Sequence, residues 1–473
     1  MYSKKLTKII ATLGPASDSA DTIEDFIKEG VNVFRFNMKH NTSDWHVERI
    51  NRVQKIADKL KANIGIMIDL QGPEIRINTP NKAGLQVEPQ DQIVFTSSEP
   101  KSGKKEIQIP QLVVNELIAG VDFSIDDGFH NFCVLKRIDK NSVLTEVRDA
   151  GFIGDKKSLN LVGIDVPLPS LIEADLEKLN IACKSKVDFI ALSFVRSAKD
   201  IKILRKEMAK LKVNADIVAK IESQKGIDNI EEIINETDAV MIARGDLGIE
   251  TPIEMLAYYQ KELIRKCRQK AKPVITATQM LQSLTVNPIP TRAEAADVAN
   301  AIYDGTDAIM LSGETASGKY PLKAVKYMAS IALFNEEHAC NINTYQPEST
   351  DQTHAVVRAS LDIIKKDSGV NIDRVVIFSD TGYTGKVFSS YRSKTPILVV
   401  SNSQKSVEKL TMSFGIQAIK IDYPTKQAFD HEDLIADLKK LKRVHKNETL
   451  LLLHGAKWNE PGKTNSVEIK KVY

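Results

Sequence analysis

The sequence predicts a closed (β/α)8 barrel of the TIM type, split by an inserted all-β domain and followed by a smaller α/β domain. Three observations lead there. Short β-rich runs alternate with helical runs three times before about residue 75 and five times after about residue 185. The stretch between changes to short alternating strands punctuated by turn residues. A polar segment then precedes a second, shorter set of strands and helices. Eight βα units favour a barrel over an open doubly wound sheet, although periodicity alone does not show closure.

Taken in order, the first strand is expected over 7–13. A cap region at Ser17 and Ser19 and an amphipathic helix over 22–29 follow, with Gly30 as the helix stop. Strands at 31–36 and 64–70 flank a helix at 45–61. In the insert, runs at 92–95, 132–138 and 142–147 are separated by Asn-Lys, Asp-Asp-Gly and Lys-Asn turns, with no helix-length period. Strands resume at 187–193, 216–221, 239–243, 274–277 and 308–311, each followed by a helical stretch. Beyond a polar linker at 341–353, strands are expected at 375–378, 397–400 and 450–454. The expected organisation is a first barrel segment, 1–75; an inserted β lid, 76–159; a second barrel segment, 160–345; and a C-terminal α/β domain, 346–473.

Composition narrows the function. Lys+Arg number 65 against 62 Asp+Glu, and a net charge of +3 supplies no sustained basic field, which argues against nucleic acid as the principal partner. A hydrophobic share of 42% with 27% charged residues is that of a folded globular chain. No apolar run approaches the ~18 residues of a membrane span, so no membrane partner is expected. The start is basic, but 9–16 is broken by Thr12, Gly14 and Pro15 and reads as strand and turn rather than a signal peptide. Cys133, Cys183, Cys267 and Cys340 form no Cys-x-x-Cys pair, which fits a reducing cytoplasm and disfavours a disulfide or zinc framework.

In a parallel barrel the loops after the strands build the active site. Nearly every predicted strand delivers a polar group to that rim: Arg35 and Asn37, Asp69, Ser193 and Arg196, Lys220 and Glu222, Arg244 and Asp246, Thr278, Ser312 and Glu314. Alone, Glu222 or Asp246 reads as a solvated loop carboxylate. As a pair on neighbouring strands they could share a hard divalent ion whose shell is completed by water and substrate oxygens. Lys220 and Arg35 would then supply fixed positive charge for a phosphoryl group or an enolate, or Lys220 could simply pair with Glu222. Thr278 is either a proton relay or an ordinary strand-end hydroxyl. Gly245 and Gly248 permit close backbone approach. The segment from Gly313 to Tyr320 nearly fits a P-loop, but Tyr320 stands where a hydroxyl should hold magnesium, and it follows a last strand rather than a first; it is rejected.

Several segments resemble the pyruvate kinase family: Thr7-Lys8-Ile9-Ile10-Ala11-Thr12-Leu13-Gly14-Pro15-Ala16-Ser17, Gly72-Pro73-Glu74-Ile75-Arg76, Ala219-Lys220-Ile221-Glu222 and Met241-Ile242-Ala243-Arg244-Gly245-Asp246-Leu247-Gly248. Lys272 to Leu281, Pro290 to Ala295 and Met310 to Thr315 continue the likeness in order. The resemblance implies transfer of a phosphoryl group from phosphoenolpyruvate to ADP, with a β lid and a regulatory C-terminal domain, usually in a homotetramer. It implies Lys220 at the transferring phosphoryl group, Glu222 and Asp246 on magnesium, Arg35 on phosphate, and Arg76 near the nucleotide. Thr278 falls where the enolate methylene is protonated, Ser312 and Glu314 on the proton-relay side, and the amides of Gly245 and Asp246 at the substrate carboxylate. Asp126-Asp127-Gly128 resembles the lid turn.

Two departures stand out. In potassium-requiring members a serine and a threonine help Asn37 and Asp69 hold a monovalent cation; here Lys39 and Leu70 replace them. Lys39 is expected to substitute for potassium, lying near Asn37 and Asp69 and pairing with Glu74. Potassium-independent members often combine Leu-Gln with a lysine in place of Glu74, whereas this chain has Leu70-Gln71 and keeps the glutamate. In the C-terminal domain, Thr381, Gly382, Tyr383, Thr384 and Lys386 resemble a loop that cradles an effector sugar phosphate, opposed by Asp380. Gly462 to Ser466 resembles its companion segment, with Lys463 in a small-residue position. A catalytically silent metabolite-binding paralogue and a metal-dependent lyase acting on a pyruvate enolate are the competing readings.

Overall fold

The computed structural model describes residues 5–161, 163–164, 166–338, 351–365, 368–422, 431–455 and 464–473. Most of the linker expected at 341–353, and the Gly462–Lys463 stretch of the companion segment, lie outside these residues.

The first three strands are β1 (Lys8–Thr12), β2 (Val31–Asn37) and β3 (Gly65–Asp69). The insert contributes β4 (Leu85–Val87), β5 (Gln92–Thr96), β6 (Glu106–Gln108), β7 (Asp122–Ile125), β8 (His130–Asp139), β9 (Ser142–Val147), β10 (Gly151–Ile153) and β11 (Leu159–Asn160). Five further strands, β12 (Phe189–Leu192), β13 (Asp216–Ile221), β14 (Ala239–Ala243), β15 (Val274–Ala277) and β16 (Ala308–Leu311), join the first three. Together they close a barrel in the order β1-β16-β15-β14-β13-β12-β3-β2. Every pairing in it is parallel.

These barrel strands are apolar on both sides, because one side fills the bore and the other packs on helices. Ile10, Val33, Met67, Phe189, Val218, Met241, Ile275 and Met310 fill the bore. Ile9, Phe34, Ile66, Ile190, Ile217, Ile242 and Ile309 face the helical ring. The insert packs its own apolar core around Phe95, Phe123 and Phe132, whose rings are 5.0 to 5.2 Å apart. It is a six-stranded sheet with a two-stranded one beside it. The insert also carries one short α-helix, Gln111–Glu116, whose six residues are too few to show a period in sequence.

The C-terminal sheet has the order β19-β18-β17-β20-β21, with β17 (Arg374–Phe378), β18 (Ile397–Ser401), β19 (Ile416–Lys420), β20 (Thr449–Gly455) and β21 (Thr464–Lys471). Only β21 runs antiparallel. This domain plugs the floor of the barrel. Met412 joins the bore cluster, and Gly65 is required beside it because a Cβ there would lie 2.4 Å from Thr411 Oγ1. Around the plug, lysines and an arginine of the C-terminal domain meet aspartates at the strand beginnings. Arg392 pairs with Asp307 at 2.6 Å, Lys405 with Asp188 at 3.0 Å, and Lys409 and Lys386 with Asp216 at 2.6 and 3.3 Å. Among the described residues no helix is long and apolar enough to cross a membrane.

Candidate active site

At the opposite end of the barrel, the strand termini bring Arg35, Asp69, Lys220 and Glu222 into one buried charge network. Asp69 ends β3 and is 1% exposed; Arg35 Nε donates to its Oδ2 at 2.7 Å, and Lys220 Nζ lies 3.4 Å from Oδ1. Lys220 also pairs with Glu222 Oε1 at 2.9 Å and donates to Ser193 Oγ at 2.6 Å. Burial works against the Lys220 charge, but Asp69, Glu222 and Asp246 outweigh it and raise its pKa above the ordinary lysine value. Burial likewise opposes ionisation of Asp69, yet Lys220 and Arg35 hold it below the usual carboxylate range. The network keeps an ammonium and a guanidinium fixed and charged at one spot, which suits an anion that gains charge during reaction.

Glu222 Oε2 accepts from Phe194 N at 2.6 Å. Its burial, opposed by Lys220 and reinforced by the charge of Asp246, raises its pKa. Two carboxylates this near each other, those of Glu222 and Asp246, are a fitting pair for a divalent cation. Among the described residues no group of three or more His, Cys, Asp or Glu side chains could hold a metal ion. An ion held by Glu222 and Asp246 would take further ligands from water and substrate, as magnesium commonly does.

Thr278 carries backbone strain. It has φ +67 although β-branched, and Gln279 after it has φ +52. The surroundings impose this shape: Gly245 N donates to Thr278 Oγ1 at 2.7 Å, and Arg244 Nη2 donates to Thr278 O at 2.9 Å. Arg244 is itself held by Asp297 at 2.7 Å. Glu314 is fully buried and accepts from Leu281 N at 3.1 Å and Ser312 N at 2.8 Å, which ties the ends of β15 and β16 together. Among the described residues the buried Ser312 Oγ has no hydrogen-bond partner. The rejected P-loop segment forms only a four-residue helix, Gly313–Ala316, on this rim.

Between barrel and lid lies a cleft of about 800 Å³. Lys39, Glu74, Arg76, Asp126, Asp127 and Asp246 are among its walls. Arg76 donates twice to Glu74 Oε2, at 2.9 and 2.7 Å, and Lys39 Nζ binds Glu74 Oε1 at 2.6 Å. Burial opposes ionisation of Glu74, but Lys39 and Arg76 hold its pKa below the usual range. Lys39 thus has the expected partner in Glu74. Asp69 is engaged by Arg35 and Lys220, and Asn37 Oδ1 accepts from Lys39 N at 3.2 Å.

Three wall or rim residues were not singled out from sequence. Lys157 pairs with Asp126 at 2.9 Å, Glu250 is raised to about 7 by burial and by Asp246, and Asp175 is buried behind the lid. None belongs to a local motif, and only the fold brings them here.

The effector-like loop is farther off, on the C-terminal sheet. Gly382 has φ +77, and its N–H donates to Ser379 Oγ at 3.1 Å. Tyr383 Oη donates to Asp351 Oδ2 at 2.7 Å, and Thr384 and Thr464 share a 2.6 Å hydroxyl contact. Thr381 Oγ1 accepts from Tyr383 N at 3.3 Å. Lys386 turns away toward Asp216 at the start of β13, since it sits in the first turn of the helix Tyr383–Ser390 on the side that meets the barrel.

Comparison with known proteins agrees with this geometry. The pyruvate kinase barrel domain matches residues 4–325, and the pyruvate kinase alpha/beta domain matches residues 354–470. A pyruvate kinase of Staphylococcus aureus is 37% identical over 98% of this chain and 80% of its own length, and one of Staphylococcus epidermidis is 36% identical over the same shares. The crystal structure of a pyruvate kinase from Cryptosporidium parvum superposes with a TM-score of 0.90 at 28% identity, covering 99% of this chain and 97% of the other. With both the barrel and the C-terminal domain matched and the rim network in place, the protein belongs to the pyruvate kinase family.

Proposed function

We propose that the rim network performs the family's reaction, transfer of the phosphoryl group of phosphoenolpyruvate to ADP to give pyruvate and ATP, with each side chain in a defined role. The observation that carries this is Lys220, buried and held among Asp69, Glu222 and Ser193. Its ammonium would face the migrating phosphoryl group, and Arg35, braced by Asp69 and by Thr12 at 2.9 Å, would hold a phosphate oxygen. Phosphoryl transfer of this kind is mainly positioning and charge neutralisation. Glu222 and Asp246 would hold a magnesium ion, which when bound offsets charge on the substrate carboxylate and enolate oxygen. The amides of Gly245 and Asp246 would receive the carboxylate. Thr278, already hydrogen-bonded, stands on the protonation side of the enolate with Ser312 and Glu314. Arg76, at the root of the lid, would meet the nucleotide phosphates.

Monovalent-cation chemistry is proposed to differ from that of potassium-requiring relatives. Lys39 supplies the charge from within the chain, since Asp69 is spent on Arg35 and Lys220 and the buried Leu70 brings no hydroxyl. Segments 1–75 and 160–345 form the catalytic barrel, 76–159 the lid, and 346–473 a regulatory domain. An effector phosphate at Ser379–Thr384 would be met by backbone amides and by the hydroxyls of Thr381 and Thr384, without Lys386. A homotetramer in the cytoplasm fits the exposed Ile253, Tyr258, Val286 and Ile289 on the barrel flank, which a further copy would cover.

The test is pyruvate formation from phosphoenolpyruvate with and without ADP, in the natural protein and in Lys220→Met. Strict ADP dependence is expected, with turnover falling by roughly 10² to 10³ or more in a folded mutant. Near-normal turnover in that mutant would refute the role of Lys220.

A further inference from the structure

We propose that Asp175 is a positioning residue for phosphoryl transfer: its carboxylate fastens both chain crossings of the lid to the barrel rim and so sets where Glu74 and Arg76 stand over the site. The inference rests on the kinase reading above.

The lid joins the barrel by two crossings, one leaving β3 through Leu70 to Arg76 and one returning from β11 to the helix Glu173–Leu179. Asp175 lies in the first turn of that helix and is fully buried. Its Oδ1 accepts from Gln71 N at 2.9 Å, and its Oδ2 accepts from Gly72 N at 3.2 Å and from Ile172 N at 3.2 Å. The Ile172 contact is an ordinary cap of the helix itself. The other two come from residues 104 and 103 positions away, on the outgoing crossing. One carboxylate therefore ties the two crossings together at the rim.

This anchor abuts the reaction centre. Gly72 has φ +72, and a Cβ there would lie 2.7 Å from Ser193 Cβ. Ser193 Oγ in turn donates to Leu70 O at 2.8 Å and accepts from Lys220 Nζ at 2.6 Å. Beyond the anchor the crossings pair with each other as a neck, through Leu159 N to Ile75 O at 2.9 Å and Ile77 N to Lys157 O at 3.0 Å. Only Pro73 and Glu74 separate the anchored Gly72 from that neck. Glu74 is the acceptor for both Lys39 and Arg76, so its position follows from where Gly72 is held. Arg196 gives the returning crossing a second hold, donating to Val166 O at 3.0 Å and Leu168 O at 2.6 Å. An anchor placed between the lid and the fixed lysine acts on the geometry of transfer, where small misplacements are costly.

The test is Asp175→Asn, which puts an NH₂ group against amide donors, with Arg196→Gln as a milder variant that removes the hold on Val166 O and Leu168 O of the returning crossing. For Asp175→Asn, kcat/KM for ADP should fall roughly tenfold or more, while KM for phosphoenolpyruvate moves by less than about threefold. Proton exchange at the pyruvate methyl group should persist, and hydrogen exchange should quicken at Gln71 and Gly72 but not within β12–β16. Arg196→Gln should show the same split at smaller size, and it carries the test if Asp175→Asn does not fold. A folded variant whose ADP kcat/KM stays within about twofold of the natural protein overturns the proposal. So does an equal loss for both substrates together with lost proton exchange, the mark of general damage. A natural protein that makes no pyruvate in an ADP-dependent way would instead overturn the kinase reading, before any variant is compared.

Discussion

Lys39→Ser tests whether a side chain has replaced a dissociable ion. In the folded protein Lys39 Nζ sits 2.6 Å from Glu74 Oε1, and Glu74 also receives Arg76. Lys39 and Arg76, against the cost of burial, keep Glu74 ionised at neutral pH. Three charges thus stand where the nucleotide phosphates are expected, with a net of +1 that depends on Lys39. A unit charge ~6 Å from a phosphate at an effective dielectric of about 20 is worth about 3 kcal/mol. The Lys39 side chain keeps 31% of its surface, and solvent screening reduces the effect to about 1.5 kcal/mol, roughly tenfold in rate. A potassium ion placed ~4 Å from the ammonium would be repelled by about 4 kcal/mol under the same dielectric, so joint occupancy is disfavoured.

Turnover of the natural protein should therefore differ by less than about twofold among sodium, potassium and tetramethylammonium at fixed ionic strength. Lys39→Ser should lose roughly tenfold, with only partial recovery in potassium, because Leu70 offers no second hydroxyl. The assay is the coupled measurement of pyruvate with the cation exchanged and chloride constant. Activation of the natural protein by potassium over sodium of about tenfold or more would refute the substitution, since no built-in charge would then be replacing the ion.

Other outcomes follow from the same structure. Replacing Ile77 to Leu159 with a short linker should leave a folded barrel, because the cut points stand side by side: Arg76 is bridged to Ser158, two residues before the retained Asn160. ADP-dependent turnover should drop by roughly a hundredfold or more, and retained turnover would show that the lid is dispensable. Asp216→Ala leaves Lys386 and Lys409 facing each other without their shared carboxylate. That should cost about 2–4 kcal/mol, read as a lower urea midpoint, while an unchanged midpoint would show that the pairs add nothing to docking.

What could be read from sequence follows from where each element sits. Barrel strands are covered on both sides, so β2, β13 and β14 appear as apolar runs bounded by turns or helices. The two C-terminal strands with no sequence signal, β19 and β21, are the two edges of their sheet. β21, Thr464–Lys471, mixes Asn, Ser, Glu and Lys with just Val467 and Ile469, and the five-residue β19, Ile416–Lys420, is interrupted by Gln417 and ends on Lys420. Polar and charged edges protect a sheet from further pairing, and the same chemistry erases the pattern by which a strand is recognised. The lid's short strands are faint for a related reason: runs of two or three residues, such as β11 and β4, hold too few alternations.

The catalytic rim is legible because a parallel barrel places every strand end on one face, so residues distant in sequence share a site once strands are counted. That rule orders Arg35, Asp69, Lys220 and Glu222 correctly, and the ion pairs among them follow from proximity. It says nothing about which partner a long flexible side chain selects. Lys386 shows the difference: the motif places it in a phosphate-binding loop, yet helix geometry swings its ammonium to Asp216, the first residue of β13. β13 bears Asp216 at its foot and Lys220 near its top, with three residues between them. The end of the strand that docks the C-terminal domain and the end that bears the phosphoryl-site lysine therefore belong to one rigid element. A domain contact at the floor and a reaction at the rim share a strand, a relation that strand counting implies and that the observed Lys386 and Lys409 contacts with Asp216 make visible.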